Sequence, residues 1–174
     1  MTQRTFEHLD PDFQERIKLR IAQDAGIVIK QAERLLILLN QMYDHKVENV
    51  GLGVRYKEDA FAGEVYLFLI AASQFGKRFL GNSSPECLSL NQTNLKDIRA
   101  VRNIWEHHAD YMVTGKEAFS SLRPESRDWL DQRLPGNPSQ VFVVSSFPGT
   151  YTIAEHINIL KIVKEARYWW DLVL

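Results

Sequence analysis

The sequence predicts a mainly all-α fold: a bundle of four to five helices, with a long N-terminal helix and a small β-hairpin before the last helix. Three observations support this. Apolar residues recur every three or four positions along several separate stretches, which is the period of an amphipathic helix. Helix caps, glycines and prolines bound those stretches. Before the last stretch, β-prone residues concentrate on both sides of a Pro-Gly turn signal, which predicts the hairpin.

Length and composition favour one globular domain over residues 1–174. Hydrophobic residues make up 45% and charged residues 25%, close to the averages of globular proteins. The net charge of −1 gives no overall attraction to nucleic acid or anionic membrane, so such contacts need a local patch. The start of the sequence lacks the apolar core of a signal peptide, and the single Cys87 suits a reducing compartment. We expect a cytoplasmic protein that does not enter a membrane.

The first helix is predicted to begin at Asp10-Pro11, where an N-cap acceptor precedes a proline suited to the first helical position. It should run for about 30 residues, or roughly 45 Å. Gly26 lies in its middle at a cost of about 1 kcal/mol against alanine, and indicates a close helix crossing. The apolar stripe of this helix consists of Ile17, Ile21, Ala25, Val28, Ala32, Leu35, Leu39 and Met42.

A connector is predicted over Glu48–Tyr56, because Gly51 and Gly53 weaken a helix there. These glycines lack the third glycine of a nucleotide-binding turn, so we do not expect phosphate binding. A second helix ending at Gly81 and a polar loop over 82–91 follow. The aromatic-rich stripe of that helix is Phe61, Val65, Phe68, Ala72, Phe75 and Phe79, and such a stripe is typical of a core.

The third helix is predicted as one continuous element from Asn94 to Met112, stopped by Thr114-Gly115. Its two faces differ. The apolar face, expected in the core, consists of Leu95, Ile98, Val101, Trp105 and Met112. The polar face gathers the candidate functional residues Arg99, Arg102, Asn103, Glu106, His107 and Asp110. We expect His108, which lies nearer the apolar side, to be a packing residue.

The remaining sequence predicts a short helix opening at Pro124 that carries Trp129 and Leu130. The predicted hairpin joins the β-prone runs 140–145 and 151–153 across Pro148-Gly149. The spacing of Thr152–Glu155 matches a capping box and places the start of the last helix there. The expected apolar stripe of the last helix includes Ile157, Leu160, Val163, Arg167, Trp170 and Leu174.

Spacing within the polar face suggests specific pairs. His107 and Asp110 are three residues apart, so the carboxylate can orient the imidazole. Arg102 and Glu106 are four apart and can form an ion pair. A polar helix face is usually solvated and crossed by salt bridges, which is the structural alternative to a functional site.

Arg102-Asn103-Ile104-Trp105-Glu106-His107 resembles the motif of HEPN domains, which has an arginine, a polar residue and a histidine a few positions later. The helical pattern over most of the chain is also similar to that family. Many HEPN domains are dimeric, metal-independent ribonucleases of toxin–antitoxin, antiviral or RNA-processing systems. Others have lost activity and act as binding modules.

The resemblance implies that Arg102 binds the scissile phosphate and that His107 acts as general acid or base. It also implies that Asn103 positions the phosphate or His107. Arg99, Glu106 and Asp110 would bind or orient substrate. RNA and a homodimer partner are implied, with an antitoxin or regulatory protein as a further partner and no cofactor. On a regular helix Arg102 and His107 lie roughly 140° apart. The resemblance therefore requires a kinked helix or a site pooled from two chains.

Two further functions stay open. One is a non-catalytic helical dimer that binds a protein or RNA through the same polar face. The other is a small-molecule site along Phe68, Phe75 and Phe79. Metal chemistry is disfavoured, because Glu106-His107 and Glu155-His156 are adjacent pairs that diverge on a helix. A zinc site from His107, Asp110 and the distant His156 stays open as a minor alternative.

Overall fold

The computed structural model describes residues 10–44, 52–80, 92–147 and 150–173. In this part of the chain it is a helical bundle with a long N-terminal helix and a small antiparallel sheet before the last helix, as predicted. The α-helices are α1 Pro11–Asp44, α2 Leu52–Leu80, α3 Gln92–Trp105, α4 His108–Thr114, α5 Pro124–Arg133 and α6 Ile159–Asp171. The strands are β1 Val144–Phe147, β2 Thr150–Ile153 and β3 Ile157–Asn158. Two 3-10 helices span Gly115–Ser121 and Pro138–Phe142.

Helix α1 begins where the sequence places it, because the Asp10 side chain accepts a 2.9 Å hydrogen bond from the backbone N–H of Asp12. It packs against α2 and α6. Gly26 marks a close crossing, as expected: a Cβ there would lie 2.5 Å from ring atom Cζ3 of Trp170 on α6. The buried stripe of α1 contains Ile21, Ala25, Val28, Ala32, Leu35 and Leu39.

Helix α2 begins at Leu52, so the predicted connector over Glu48–Tyr56 is wrong from Leu52 onward. Each added helical residue contributes a backbone hydrogen bond, which offsets the modest cost of Gly53. Residues 48–51 and the predicted loop over 82–91, with Cys87, lie outside the described residues. The predicted apolar stripe of α2 is confirmed at the fully buried residues Val65, Phe68, Ala72 and Phe75.

The third predicted helix is two helices, and this is the main correction. Helix α3 ends at Trp105 and α4 starts at His108. The His107 N–H bonds to the carbonyl of Ile104, three residues back, in place of the four-residue spacing of an α-helix. Met112, predicted to be buried, is 59% exposed because it lies on α4, which has no buried residue. The predicted apolar face of α3 is confirmed at Leu95, Ile98, Val101 and Trp105.

The sheet differs from the predicted hairpin by a third strand and a shorter first strand. Residues 140–142, predicted as β, belong to the 3-10 helix that opens at Pro138. Strand β1 pairs with β2 with Val144 opposite Ile153, and β2 pairs with β3 with Ile153 opposite Ile157. The predicted turn residues Pro148 and Gly149 lie outside the described residues.

Helix α6 starts later than predicted. Thr152 pairs with Ser145 in the sheet, so the predicted capping box does not open the helix. The cap is Asn158, whose side chain accepts a 2.9 Å hydrogen bond from the backbone N–H of Lys161. The buried face is also shifted by one residue from the predicted stripe and contains Ile159, Ile162, Ala166 and Trp169. Packing against α1 and β2 selects this face, since both sets of residues have helical spacing.

Among the helices within these described ranges, none is both long enough and apolar enough to cross a membrane.

Candidate functional site

The predicted polar residues surround the junction between α3 and α4. Arg99, Glu106 and Asp110 are exposed, and the remaining three, Arg102, Asn103 and His107, are half-buried. The apolar face of α3 determines this arrangement, because Ile98, Val101 and Ile104 are fixed in the core and turn the polar face outward. All six predicted site residues are therefore accessible to a ligand.

The chain turns between Arg102 and His107. Glu106 and His107 form the turn, and His107 has φ −99° and ψ 14°. These angles fall in the bridge region of backbone conformations, which many active-site residues occupy. The carbonyl of His107 accepts a 2.9 Å bond from the N–H of Tyr111, so His107 also begins α4. The turn interrupts the regular helix on which Arg102 and His107 would point to diverging sides.

His107 and Asp110 form the pair that their spacing predicts. The distance from Nδ1 of His107 to Oδ2 of Asp110 is 3.2 Å. An ionised carboxylate can only accept, so the imidazole donates its Nδ1–H to Asp110. That contact fixes the ring orientation and leaves Nε2, on the opposite edge of the ring, for a ligand. The His107 side chain is 31% exposed, which leaves room for one to approach.

Arg102 has a different partner from the one suggested by spacing. Its Nη2 donates a 2.6 Å hydrogen bond to Oδ1 of Asn103, and the described residues contain no ion pair between Arg102 and Glu106. A guanidinium has five N–H donors. Asn103 therefore orients Arg102 with a neutral contact, and no carboxylate of the described residues forms an ion pair with it.

An aromatic cluster supports the junction, and the sequence alone did not reveal it. It consists of Trp105, His108, Tyr111, Phe119 and Phe142. His108 stacks on Trp105 with ring centroids 5.2 Å apart, which confirms its expected packing role. The only hint in the sequence is the three-residue spacing of Trp105, His108 and Tyr111, since Phe119 and Phe142 come from separate 3-10 helices.

The aromatic stripe of α2 belongs to the core. Phe68 and Phe75 are fully buried and are part of the main apolar cluster, while the side chain of Phe79 lies outside the described residues. Across the residues that are described, no group of three or more His, Cys, Asp and Glu side chains is placed to hold a metal ion.

The fold and this junction define a helical-bundle protein with an Arg-Asn and His-Asp site on its surface. No protein-family model, curated protein sequence or solved structure matches the chain. The functional argument therefore depends on the geometry of the junction.

Proposed function

We propose that this chain is a cytoplasmic, HEPN-like, dimeric endoribonuclease that needs no metal ion and serves in toxin-based defence or RNA processing. One observation carries the proposal. At a turn between two helices, an accessible His107 is oriented by Asp110, close in sequence to an accessible Arg102 that is oriented by Asn103.

Arg102 supplies the electrostatic part of the reaction. Its guanidinium can bind two oxygens of one phosphate through parallel N–H groups, and its charge stabilises the additional negative charge of the transition state. The 2.6 Å bond to Asn103 supports this role, because it fixes the guanidinium without cancelling its charge. Arg99, exposed three residues earlier on α3, can bind a neighbouring phosphate of the same strand.

His107 supplies proton transfer. An imidazole titrates near neutral pH, so it can accept the proton of the RNA 2′-hydroxyl or donate one to the leaving 5′-oxygen. The 2′-oxygen attacks phosphorus, the bond to the 5′-oxygen breaks, and the products are a 2′,3′-cyclic phosphate and a 5′-hydroxyl. The 3.2 Å contact with Asp110 supports this role, because it holds the ring through Nδ1 and leaves Nε2 for the reacting atom.

A second chain is part of the proposal. Helix α4 buries none of its residues, and Met112 and Val113 are 59% and 85% exposed. These two adjacent apolar side chains beside the polar site support a surface that another protein covers, because covering them would remove apolar area from water. A homodimer would bring two copies of the junction together, and an antitoxin or regulatory protein could cover the same surface.

The test is cleavage of a short single-stranded RNA by the purified protein with EDTA present. Arg102→Ala and His107→Ala should each abolish cleavage while circular dichroism and mass in solution stay unchanged. His156→Ala and Arg123→Ala are matched controls, because both residues are exposed and lie outside the junction. Unchanged cleavage by the His107→Ala protein would contradict the proposal.

Arg99 and Arg102 are both accessible and also fit a non-catalytic function, in which the same surface binds RNA or a protein. That function predicts no cleavage by the unaltered protein. It also predicts binding that weakens when Arg99→Glu and Arg102→Glu reverse the local charge. Fluorescence anisotropy with the same RNA under the same conditions separates the two functions.

A further inference from the structure

A cavity of about 140 Å³ lies between α3, β3 and the first turns of α6. It shares no residue with the junction around His107. Seven residues line it: Asp97, Ile98, His156, Ile157, Asn158, Lys161 and Ile162. Its wall thus combines an acid, a base and a cation with three isoleucines, which is the mixed lining typical of a small-molecule site.

Asp97 is a buried residue, and one oxygen of its carboxylate accepts a hydrogen bond. The residue is 8% exposed, and its Oδ1 accepts a 2.8 Å hydrogen bond from the indole Nε1–H of Trp129. The guanidinium of Arg133 lies 3.8 Å from the same oxygen. Within the described residues both of these contacts use Oδ1. Because Asp97 lines the cavity, a ligand bound there could donate a hydrogen bond to Oδ2.

The other polar groups of the cavity favour an anion. Lys161 is exposed and carries a positive charge in the first turn of α6, where the helix dipole adds partial positive charge. His156 is held against the indole of Trp129, with ring centroids 5.7 Å apart, and its Nε2–H donates to the backbone carbonyl oxygen of Arg133 at 3.4 Å. Lys161 is therefore the group that faces an anion. Because Arg133 already offsets the charge of Asp97, the net charge around the cavity is positive.

These features together define one class of ligand. A donor must face Asp97, an anion must face Lys161, and a short carbon skeleton must contact the isoleucines. An apolar cavity of ~150 Å³ admits benzene, so this volume suits about six non-hydrogen atoms. We propose that the cavity binds a small 2-hydroxycarboxylate, with its hydroxyl donating to Oδ2 of Asp97 and its carboxylate bound by Lys161. This proposal is independent of the ribonuclease function.

Three probes with one carbon skeleton test the ligand chemistry. Lactate has the hydroxyl, propionate lacks it, and alanine replaces it with an ammonium group. Each is titrated into the full chain, and the amide and indole N–H signals are followed by NMR. Lactate should bind saturably, with a dissociation constant on the order of 1 mM, and should shift the indole signal that Trp129→Phe removes. Propionate should bind about tenfold more weakly or worse, because it lacks the donor that faces Asp97. Alanine should also bind more weakly than lactate, because its ammonium group adds a positive charge to a site that already holds Arg133 and Lys161.

Two variants test the assigned residues. Lys161→Gln should weaken lactate binding about tenfold, because it removes a charge-assisted hydrogen bond. Lys164→Gln is the matched control, since it makes the same charge change at an exposed residue of the same helix that does not line the cavity. Asp97→Asn keeps the shape and a bond acceptor for Trp129, and should reduce the preference for lactate over propionate.

Several results would overturn the proposal. They are no lactate response at 50-fold the expected dissociation constant, equal binding of propionate, tighter binding of alanine, or equal effects of Lys161→Gln and Lys164→Gln. Lys161 is exposed, so its variant can fold and the comparison stays decisive if Asp97→Asn does not fold.

Discussion

The indole Nε1–H of Trp105 donates a 2.9 Å hydrogen bond to the backbone carbonyl oxygen of Val141, which lies 36 positions further along the chain. Trp105 is the last residue of α3, and Val141 is fully buried in the 3-10 helix before the sheet. This bond ties the end of α3 to a distant segment and holds the turn at Glu106 and His107 in place. The orientation of the candidate site therefore depends on a contact outside it.

Trp105→Phe should destabilise the protein by about 1–3 kcal/mol, because the buried carbonyl of Val141 loses its donor. Urea unfolding measures the change. Tyr168→Phe is the control, since Tyr168 is 42% exposed and its variant should unfold near the native midpoint. Equal midpoints for Trp105→Phe and the native protein would show that the bond does not hold the junction.

Mixing two inactive variants tests whether the site is pooled from two chains. Arg102→Ala protein retains His107, and His107→Ala protein retains Arg102. If each site takes one residue from each chain, co-refolded subunits should recover on the order of a quarter of native RNA cleavage. Recovery should be absent when either variant is refolded alone. A mixture without activity, shown by mass spectrometry to contain heterodimers, would place both residues in one chain.

The close crossing of α1 and α6 predicts coupling between Gly26 and Trp170. In a Trp170→Ala background, Gly26→Ala should stabilise the protein by about 1 kcal/mol, the helix propensity difference. With Trp170 present that gain should disappear, because the new Cβ would lie 2.5 Å from the ring. A double-mutant cycle by urea unfolding measures the coupling. Equal gains in both backgrounds would exclude a close crossing.

Glu165 predicts a pH-dependent contribution to stability. Burial raises the pKa of its carboxyl group above the ordinary value of 4.5, and the positive charges of Lys161 and Lys164 partly oppose that shift. The folded state therefore binds this proton more tightly than the unfolded state does. The stabilisation that Glu165 contributes is complete below the pKa of its carboxyl group in the unfolded state. It is lost as the pH rises through the higher pKa of the folded state.

Glu165→Gln should therefore raise the thermal midpoint more at pH 7 than at pH 4, where the native carboxyl is protonated. Scanning calorimetry at both pH values measures the difference. Glu155→Gln is the control, because Glu155 is exposed. A gain from Glu165→Gln that is the same at both pH values would rule out a raised pKa.

The sequence predicted the parts of the fold that local interactions decide. The Asp10 cap, the buried stripes of α1 and α2 and the helix opening at Pro124 are each encoded within a few neighbouring residues. The six polar candidates also lie on an accessible surface, as their helical spacing predicts.

Only the tertiary structure decided features for which the local pattern allows more than one outcome. Ile159, Ile162, Ala166 and Trp169 have the same spacing as Leu160, Val163, Arg167 and Trp170, and packing on α1 and β2 selected the first set.

The stretch from Asn94 to Met112 shows both the features that local interactions decide and those that only the tertiary structure decides. By itself it predicts one continuous helix with Arg102 and His107 on diverging sides. The structure ends that helix at Trp105, whose indole bonds to Val141 and whose ring stacks on His108. Residue identity and spacing thus determined which side chains are candidates for function. Hydrogen bonds and ring contacts between distant segments decided how those side chains are oriented, because no local pattern encodes a contact across 36 positions.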